Sequence, residues 1–261
     1  MSGRAGPHAG DLSARSVVAS TLLGTVPPRL PARLLVAFAG EFGIQPGTTR
    51  TALSRMVDRG ELRHLTGGEY ELDGALLERH RRQEAGLRPA THPWDGTWEL
   101  HVVSPGARPS ADRSALRRAC AHLGLWERRD GVWMRPANLA SDRLPAARQV
   151  VAAQTDAYVA SPQGDPAVLL AQLHDLAGWA ERAEELVAEL DESGPALAGE
   201  LAPGFVLAAT ALRHLVTDPL IPVELEPDGW PATRLRQRYA SFLVSYQSGL
   251  RAFFRAQLAS S

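Results

Sequence analysis

Between residues 45 and 72 the chain reads QPGTTRTALSRMVDRGELRHLTGGEYEL, and its first half is rich in hydroxyls and guanidiniums. Arg50 and Arg55 each carry a planar fork of donors that suits a guanine edge or a phosphate. Thr48, Thr51 and Ser54 are short polar groups of the kind that contact phosphate oxygens and base edges. On a helix turning by about 100° per residue, Thr51, Ser54, Arg55 and Asp58 lie opposite Ala52, Leu53, Met56 and Val57, with Arg50 at the edge. Pro46 suits the first helical position, and Gly60 suits the residue that ends the helix. Leu62 and Leu65, then Gly67-Gly68, then Tyr70 and Leu72 read as a short hairpin that carries Arg63 and His64. A polar-faced helix followed by a hairpin is how a winged helix-turn-helix meets DNA. The plainer alternative is a solvated helix face.

The flanking elements must hold that unit in place. Residues 1–11 are rich in Gly, Pro and His, and an unstructured tail is expected there. SARSVVASTLLG, with Ser13 as N-cap, places Val17, Val18, Thr21 and Leu22 on one helical face. TVPPRLP reads as a break. Leu34, Leu35, Ala37 and Phe38 form the apolar face of a second helix that stops at Gly40 or Gly43. DGALLERHRRQEAGLRP, from Asp73, closes the domain as a helix with Leu76 and Leu77 inward. Its Arg79, Arg81 and Arg82 read as a solvated face or as phosphate contacts. A DNA-binding domain is thus expected over residues 12–90.

A different pattern starts at THPWDG. TWELHVVS (97–104) alternates as a strand, and SADRSALRRACAHLGL (110–125) is an amphipathic helix. LWERRDGVWMRP is a hairpin turning at Asp130-Gly131, SDRLPAARQVVAAQ a helix and TDAYVAS (155–161) a strand. That order fits a ferredoxin-like α+β domain over 94–164. Residues 165–261 keep helical spacing, interrupted by DPLIPVELEPDGWP (218–231). The last helix carries Tyr239, Phe242, Leu243, Tyr246, Leu250, Phe253 and Phe254, a stripe that suits core, a dimer face or a ligand pocket. The expected fold class is α+β and multidomain: a winged helix-turn-helix, a ferredoxin-like middle domain and a helical C-terminal domain.

Composition bounds the function. The 261 residues include 28 basic side chains, all arginine, against 29 acids, for a net charge of −1. Residues 1–90 hold 12 arginines and nine acids, whereas 165–261 hold seven and 13, so the basic end is the N-terminal one. No apolar run reaches the roughly 18 residues a membrane span needs, and the N-terminus lacks an apolar signal core. A single cysteine, Cys120, permits no internal disulfide and reads as a small buried hydrophobe in a reducing cytoplasm. Enzyme motifs are missing: there is no glycine-rich phosphate loop, HExxH or GxSxG. His174-Asp175 reads as helix surface, and Asp95 and Asp112 stand alone, so no catalytic or metal-binding residue and no cofactor is expected.

Three stretches together resemble one family. RTALSRMV, preceded by Phe42-Gly43-Ile44, is similar to the recognition helix of the PaaX-like regulators, the phenylacetic acid catabolon repressors. WDGTW with GVWMRP resembles the opening and hairpin of their middle domain, and DPLIPVELEPDGWP resembles their C-terminal signature. The resemblance implies a homodimeric, cytoplasmic transcriptional repressor that binds a pseudo-palindromic double-stranded operator and is released by phenylacetyl-coenzyme A. The chain departs from the family pattern at Gln45-Pro46-Gly47-Thr48-Thr49, near the bases, and at Glu226 and Ala232 in the signature.

Thr48, Arg50, Thr51, Ser54, Arg55, Arg63 and His64 are accordingly the expected DNA contacts. An aryl- or acyl-coenzyme A effector needs an apolar slot and basic groups for its phosphates. Arg213, His214, Trp230, Arg234, Arg238 and Tyr239 supply both chemistries near the signature, although a core role for Trp230 and solvated arginines is the plain reading. The alternative function is a protein–protein adaptor that uses the winged helix as an interaction surface.

Overall fold

A computed structural model describes residues 12–89, 91–104, 106 and 108–259. The stretch expected to be unstructured, residues 1–11, lies outside the described residues. The chain is of the α+β class, with two small antiparallel sheets. Its described residues divide into two compact units, one within 12–83, 186–213 and 234–259, the other within 84–185 and 214–233. The helical segment 165–261 therefore contributes to both.

The first unit begins with α1 (Ala14–Leu23), β1 (Arg29–Pro31), α2 (Ala32–Gly40) and α3 (Pro46–Asp58). The hairpin β2 (Leu62–His64) and β3 (Glu69–Leu72) follows, and α4 (Gly74–Leu87) starts directly after it. The capping expectations hold. Ser13 Oγ accepts the Ser16 amide at 3.2 Å, Pro46 starts α3, and Gly60 follows its end at φ +67°. Gly67 and Gly68 turn the hairpin with φ of +86° and +76°. Gly74 is obligatory for packing as well as for its φ: a Cβ there would stand 2.5 Å from the Gly60 carbonyl oxygen.

TVPPRLP differs from its reading as a break. Arg29–Pro31 pairs antiparallel with β3, in the order β1-β3-β2. Pro31 is tolerated because β1 is an edge strand, where a missing amide proton breaks no ladder. Val18, Leu22, Leu35, Leu53, Met56, Leu62, Leu72 and Leu76 form the core beneath α3. Each such side chain contributes on the order of 1.5–3 kcal/mol through burial.

Helices from the second half complete this unit: the end of α8 (Leu176–Glu192), α9 (Gly194–Leu197), most of α10 (Leu201–Leu215) and α11 (Ala232–Ala259). Phe38 of α2 meets Phe205 of α10 and Phe253 and Phe254 of α11 edge-on, with ring centroids 5.7, 6.3 and 6.1 Å away. The aromatic stripe of α11 is thus largely core: Tyr239, Phe242 and Tyr246 are buried, and the Tyr246 hydroxyl donates to the Leu201 carbonyl at 3.1 Å.

The second unit runs β4 (Trp98–Val103), α5 (Ser110–Leu123), β5 (Trp126–Arg129), β6 (Val132–Pro136), α6 (Pro145–Ala152) and β7 (Thr155–Ala160). The strands lie in the order β5-β6-β4-β7, all neighbours antiparallel. One layer of core holds Leu116, Cys120, Leu123 and Val151 of α5 and α6 with Trp133. Burial pushes the Cys120 thiol up to about 12, so it stays protonated and inert. A second layer holds Trp98 and Met134, packed with Leu170 of α7 (Pro166–Leu173) and with Ile221, Leu225 and Trp230.

Arg135 is the centre of this unit. It is 1% exposed, and its guanidinium lies 3.4 Å from the Glu99 carboxylate. It donates to the carbonyls of Leu123 at 2.6 Å, Leu220 at 3.0 Å and Pro136 at 3.1 Å, and to Asn138 Oδ1 at 3.0 Å. Asn138 Nδ2 donates to the same Leu220 carbonyl at 3.0 Å. Leu220 sits at φ +49°, a conformation that costs a leucine energy. The paired donors on its carbonyl, and Asp218 Oδ1 accepting its amide at 2.7 Å, hold it there. Burial draws the Arg135 guanidinium down to about 10, against the opposing pull of Glu99, and it remains charged at neutral pH. For Glu99, burial acts to raise the carboxyl, but His101, Arg135 and Arg148 outweigh it and hold the group below its ordinary value.

Arg135→Met should therefore destabilise the protein by about 2–4 kcal/mol, because it takes the nearest cation from the partly buried Glu99 carboxylate, leaves the Leu123 carbonyl without a donor and removes one of the two donors on Leu220. Denaturant unfolding of the full chain measures this. The Glu99 contribution is complete above the ordinary carboxyl value of 4.5 and is lost as pH falls through the lower folded value. In Glu99→Gln that part of the acid limb of a Tm-against-pH curve should vanish.

Candidate nucleic-acid interface

Helix α3 buries Thr49, Leu53 and Met56 and presents Thr48, Arg50, Thr51, Ser54 and Arg55 to solvent. The split follows from its sequence, since the apolar residues recur at three- and four-residue spacing. Among the described residues, no hydrogen bond or ion pair engages the side chains of Arg50 or Arg55. Both guanidiniums therefore keep their full donor sets for an incoming acceptor. Thr51 is less free, because its hydroxyl donates back to the Gly47 carbonyl at 2.9 Å and keeps only acceptor capacity outward. The first turn lacks acidic residues, so the positive end of the helix dipole is uncompensated there.

The hairpin residues are more engaged. Arg63 pairs with Glu71 across the strands at 2.6 Å, and the His64 ring lies 4.9 Å from that of Tyr70. Both remain exposed. An open groove runs between the start of α1 and α3, lined by Ser13, Arg15, Thr48, Thr51, Arg55 and Arg59, among others. Sequence reading did not single out Arg59, although positions 48, 51, 55 and 59 keep helical spacing along one edge. Arg15 is committed elsewhere, donating to both Glu61 oxygens at 2.7 and 2.9 Å, which ties α1 to the end of α3. That hydrogen bond raises the Arg15 guanidinium and lowers the Glu61 carboxyl.

The family model described as PaaX-like protein matches residues 13–75, the span from α1 into α4. The solved structure titled "Uncharacterized protein Rv0674 from Mycobacterium tuberculosis" is 38% identical, with a TM-score of 0.69, and the match covers 92% of this chain and 98% of that one. The chain belongs to the PaaX-like family. That is a family of transcriptional regulators. No curated protein matches the chain.

The PaaX-like chain divides the residues singled out for an effector between its two units. Trp230 and His214 belong to the second unit, and both stack on Trp179, with ring centroids 4.9 and 4.6 Å away. Burial lowers the His214 imidazole, and its Nε2 lies 3.0 Å from the Trp179 carbonyl. Arg213, Arg234, Arg238 and Tyr239 belong to the first unit. There Arg238 pairs with Asp191 at 2.8 Å, and Arg234 is exposed in the first turn of α11. Arg213 and Tyr239 come together, lining one cavity. Sequence reading missed their neighbours Arg79 and Gln83 as pocket residues, because α4 reaches them only through tertiary packing.

Among the described residues no cluster of three or more His, Cys, Asp or Glu gathers as a metal site, and no helix is long and apolar enough to cross a membrane.

Because Arg50 and Arg55 touch no acid and cover no core, Arg50→Ala and Arg55→Ala should each change unfolding stability by no more than about 0.5 kcal/mol. Thermal melts of the two variants against the parent protein check this.

Proposed function

We propose that this PaaX-like protein is a cytoplasmic, homodimeric, ligand-responsive repressor that reads double-stranded operator DNA through α3. The observation that carries the reading is the outward face of α3, where two unpaired arginines stand among hydroxyls on a chain of net charge −1. Three helices, with a three-stranded sheet whose β2–β3 hairpin follows α3, suit a winged helix-turn-helix. The βαββαβ order with strands arranged β5-β6-β4-β7 suits a ferredoxin-like domain, and the remaining helices suit an effector and dimerisation domain.

In this reading Arg55 makes the bidentate contact to a guanine edge, with Thr48, Thr51 and Ser54 beside it. Arg50, Arg63 and His64 hold the phosphates. A dimer presents two such helices to a pseudo-palindrome with half-sites about one helical turn apart or a multiple of it. A small aromatic or acyl-coenzyme A effector, such as phenylacetyl-coenzyme A, weakens the complex by favouring the state in which the heads no longer match both half-sites. A coupling of about 1–3 kcal/mol, or roughly 5–150-fold in affinity, is the usual scale of such control.

Gel-shift titrations on the protein's own promoter test this. Arg55→Ala should remove sequence preference, whereas Arg50→Ala should weaken all sequences alike and reduce the salt slope by about one. Binding that ignores salt and tolerates Arg55→Ala would instead mark α3 as a protein-docking surface, the adaptor alternative.

A further inference from the structure

A cavity of ≈ 80 Å³ lies inside the first unit, walled by α1, α2, α4, α10 and α11. Its body is apolar, with Phe38, Leu212, Tyr239 and Leu243 among the lining residues. A second concavity of ≈ 160 Å³ adjoins it and is polar, lined by Arg15, Ser16 and Thr210 among others. The two share Ser20, Arg79, Phe205, Ala209 and Arg213.

Two independent features of that shared wall point to a ligand. Arg79 and Arg213 have no acidic partner among the described residues, and Glu78, the acid nearest along α4, is taken by Arg81. Burial, then the like charges of Arg213, Arg82 and Arg15, hold the Arg79 guanidinium below its ordinary value, so an anion would relieve the repulsion. The second feature is Gln83, which lines the apolar cavity and whose buried Oε1 has no hydrogen-bond partner. A buried amide left unsatisfied in a native structure calls for a missing partner.

We infer that this double cavity is a binding site for an organic anion: its apolar body fills the inner cavity, a polar group meets the Gln83 amide, and its carboxylate or phosphate head lies on Arg79 and Arg213. The position also accounts for a regulatory effect, resting on the proposed function above. Ser20 of α1 and Phe38 of α2 line the cavity, while Val18, Leu22 and Leu35 of the same helices pack on Leu53 and Met56 of α3. An occupant that shifts α1 or α2 therefore moves the core on which the recognition helix rests.

Anilinonaphthalene sulfonate, an aromatic body with an anionic head, serves as the probe on the full-length protein. Its fluorescence should rise saturably, and Arg79→Gln with Arg213→Gln should raise its Kd about tenfold or more, as loss of charge-assisted contacts does. Ala209→Trp, which fills the shared wall, should block it. Uncharged phenylnaphthylamine should be blocked by Ala209→Trp and be indifferent to the arginine changes. Competition by phenylacetate identifies a carboxylate head, and competition by benzyl phosphate alone a phosphate head. Unchanged probe affinity in the arginine double variant, with a thermal melt confirming that it folds, overturns the inference. So does probe binding that neither competitor displaces. Operator binding by the unliganded protein is measured separately: its absence would refute the DNA reading while leaving this site standing.

Discussion

A guanidinium buried in the second unit organises much of what surrounds it. Arg135 spends its donors on the end of α5, on Asn138 and on the Leu220 carbonyl, and it balances the charge of Glu99. Taking an arginine out of water is unfavourable unless each donor finds an acceptor and the charge finds a counterion. The surroundings are constrained accordingly. Gly124, at φ +63°, leaves room where a Cβ would stand 2.7 Å from Arg135 Nη1, and Leu220 accepts a left-handed backbone. The proline-rich stretch 218–231, which has no periodicity, is thereby tied to the sheet at Leu220. The same stretch continues into Ile221, Leu225 and Trp230, which cover the other face of the sheet.

In the first unit the organising interaction is apolar. Phe38 of α2 meets Phe42 beside it in the chain and Phe205, Phe253 and Phe254 from the far end. Edge-to-face rings of this kind are worth about 0.5–1.5 kcal/mol per pair beyond their burial. Residues more than 160 positions apart in the chain thus share one core. The double cavity sits beside that cluster. A change in its packing reaches α1 and α2 without passing through any linker.

Much of the architecture was legible because it rests on local rules. Ser13, Pro46, Gly60 and Asp130-Gly131 mark ends and turns through backbone chemistry that acts within four residues. The alternation in 97–104 and the stripe Leu53, Met56 depend only on the pleat and on the helical pitch. Arg29–Pro31 escaped the same reading because three prolines signal a break, and only pairing with β3 makes an edge strand of them. Periodicity placed Thr51, Ser54, Arg55 and Asp58 outward on α3 with Arg50 at the edge, and all five are exposed. Arg59 was passed over because it lies at the helix cap, where the pattern ends.

Sequence by itself determined the α+β class, the order of the elements apart from β1 and the short helices, and the polar face of α3, since each is written in spacings of a few residues. Tertiary structure alone decided that Trp230 and His214 stack on Trp179, and that Arg79 and Gln83 stand at a cavity wall with Arg213 and Tyr239. Such outcomes depend on contacts between residues far apart in the chain, and no periodicity encodes which distant partner a buried charge or ring will meet. Helix α3 faces outward from a core drawn from residues 18–77, and helices from the far end of the chain reach that unit through Phe38 of α2.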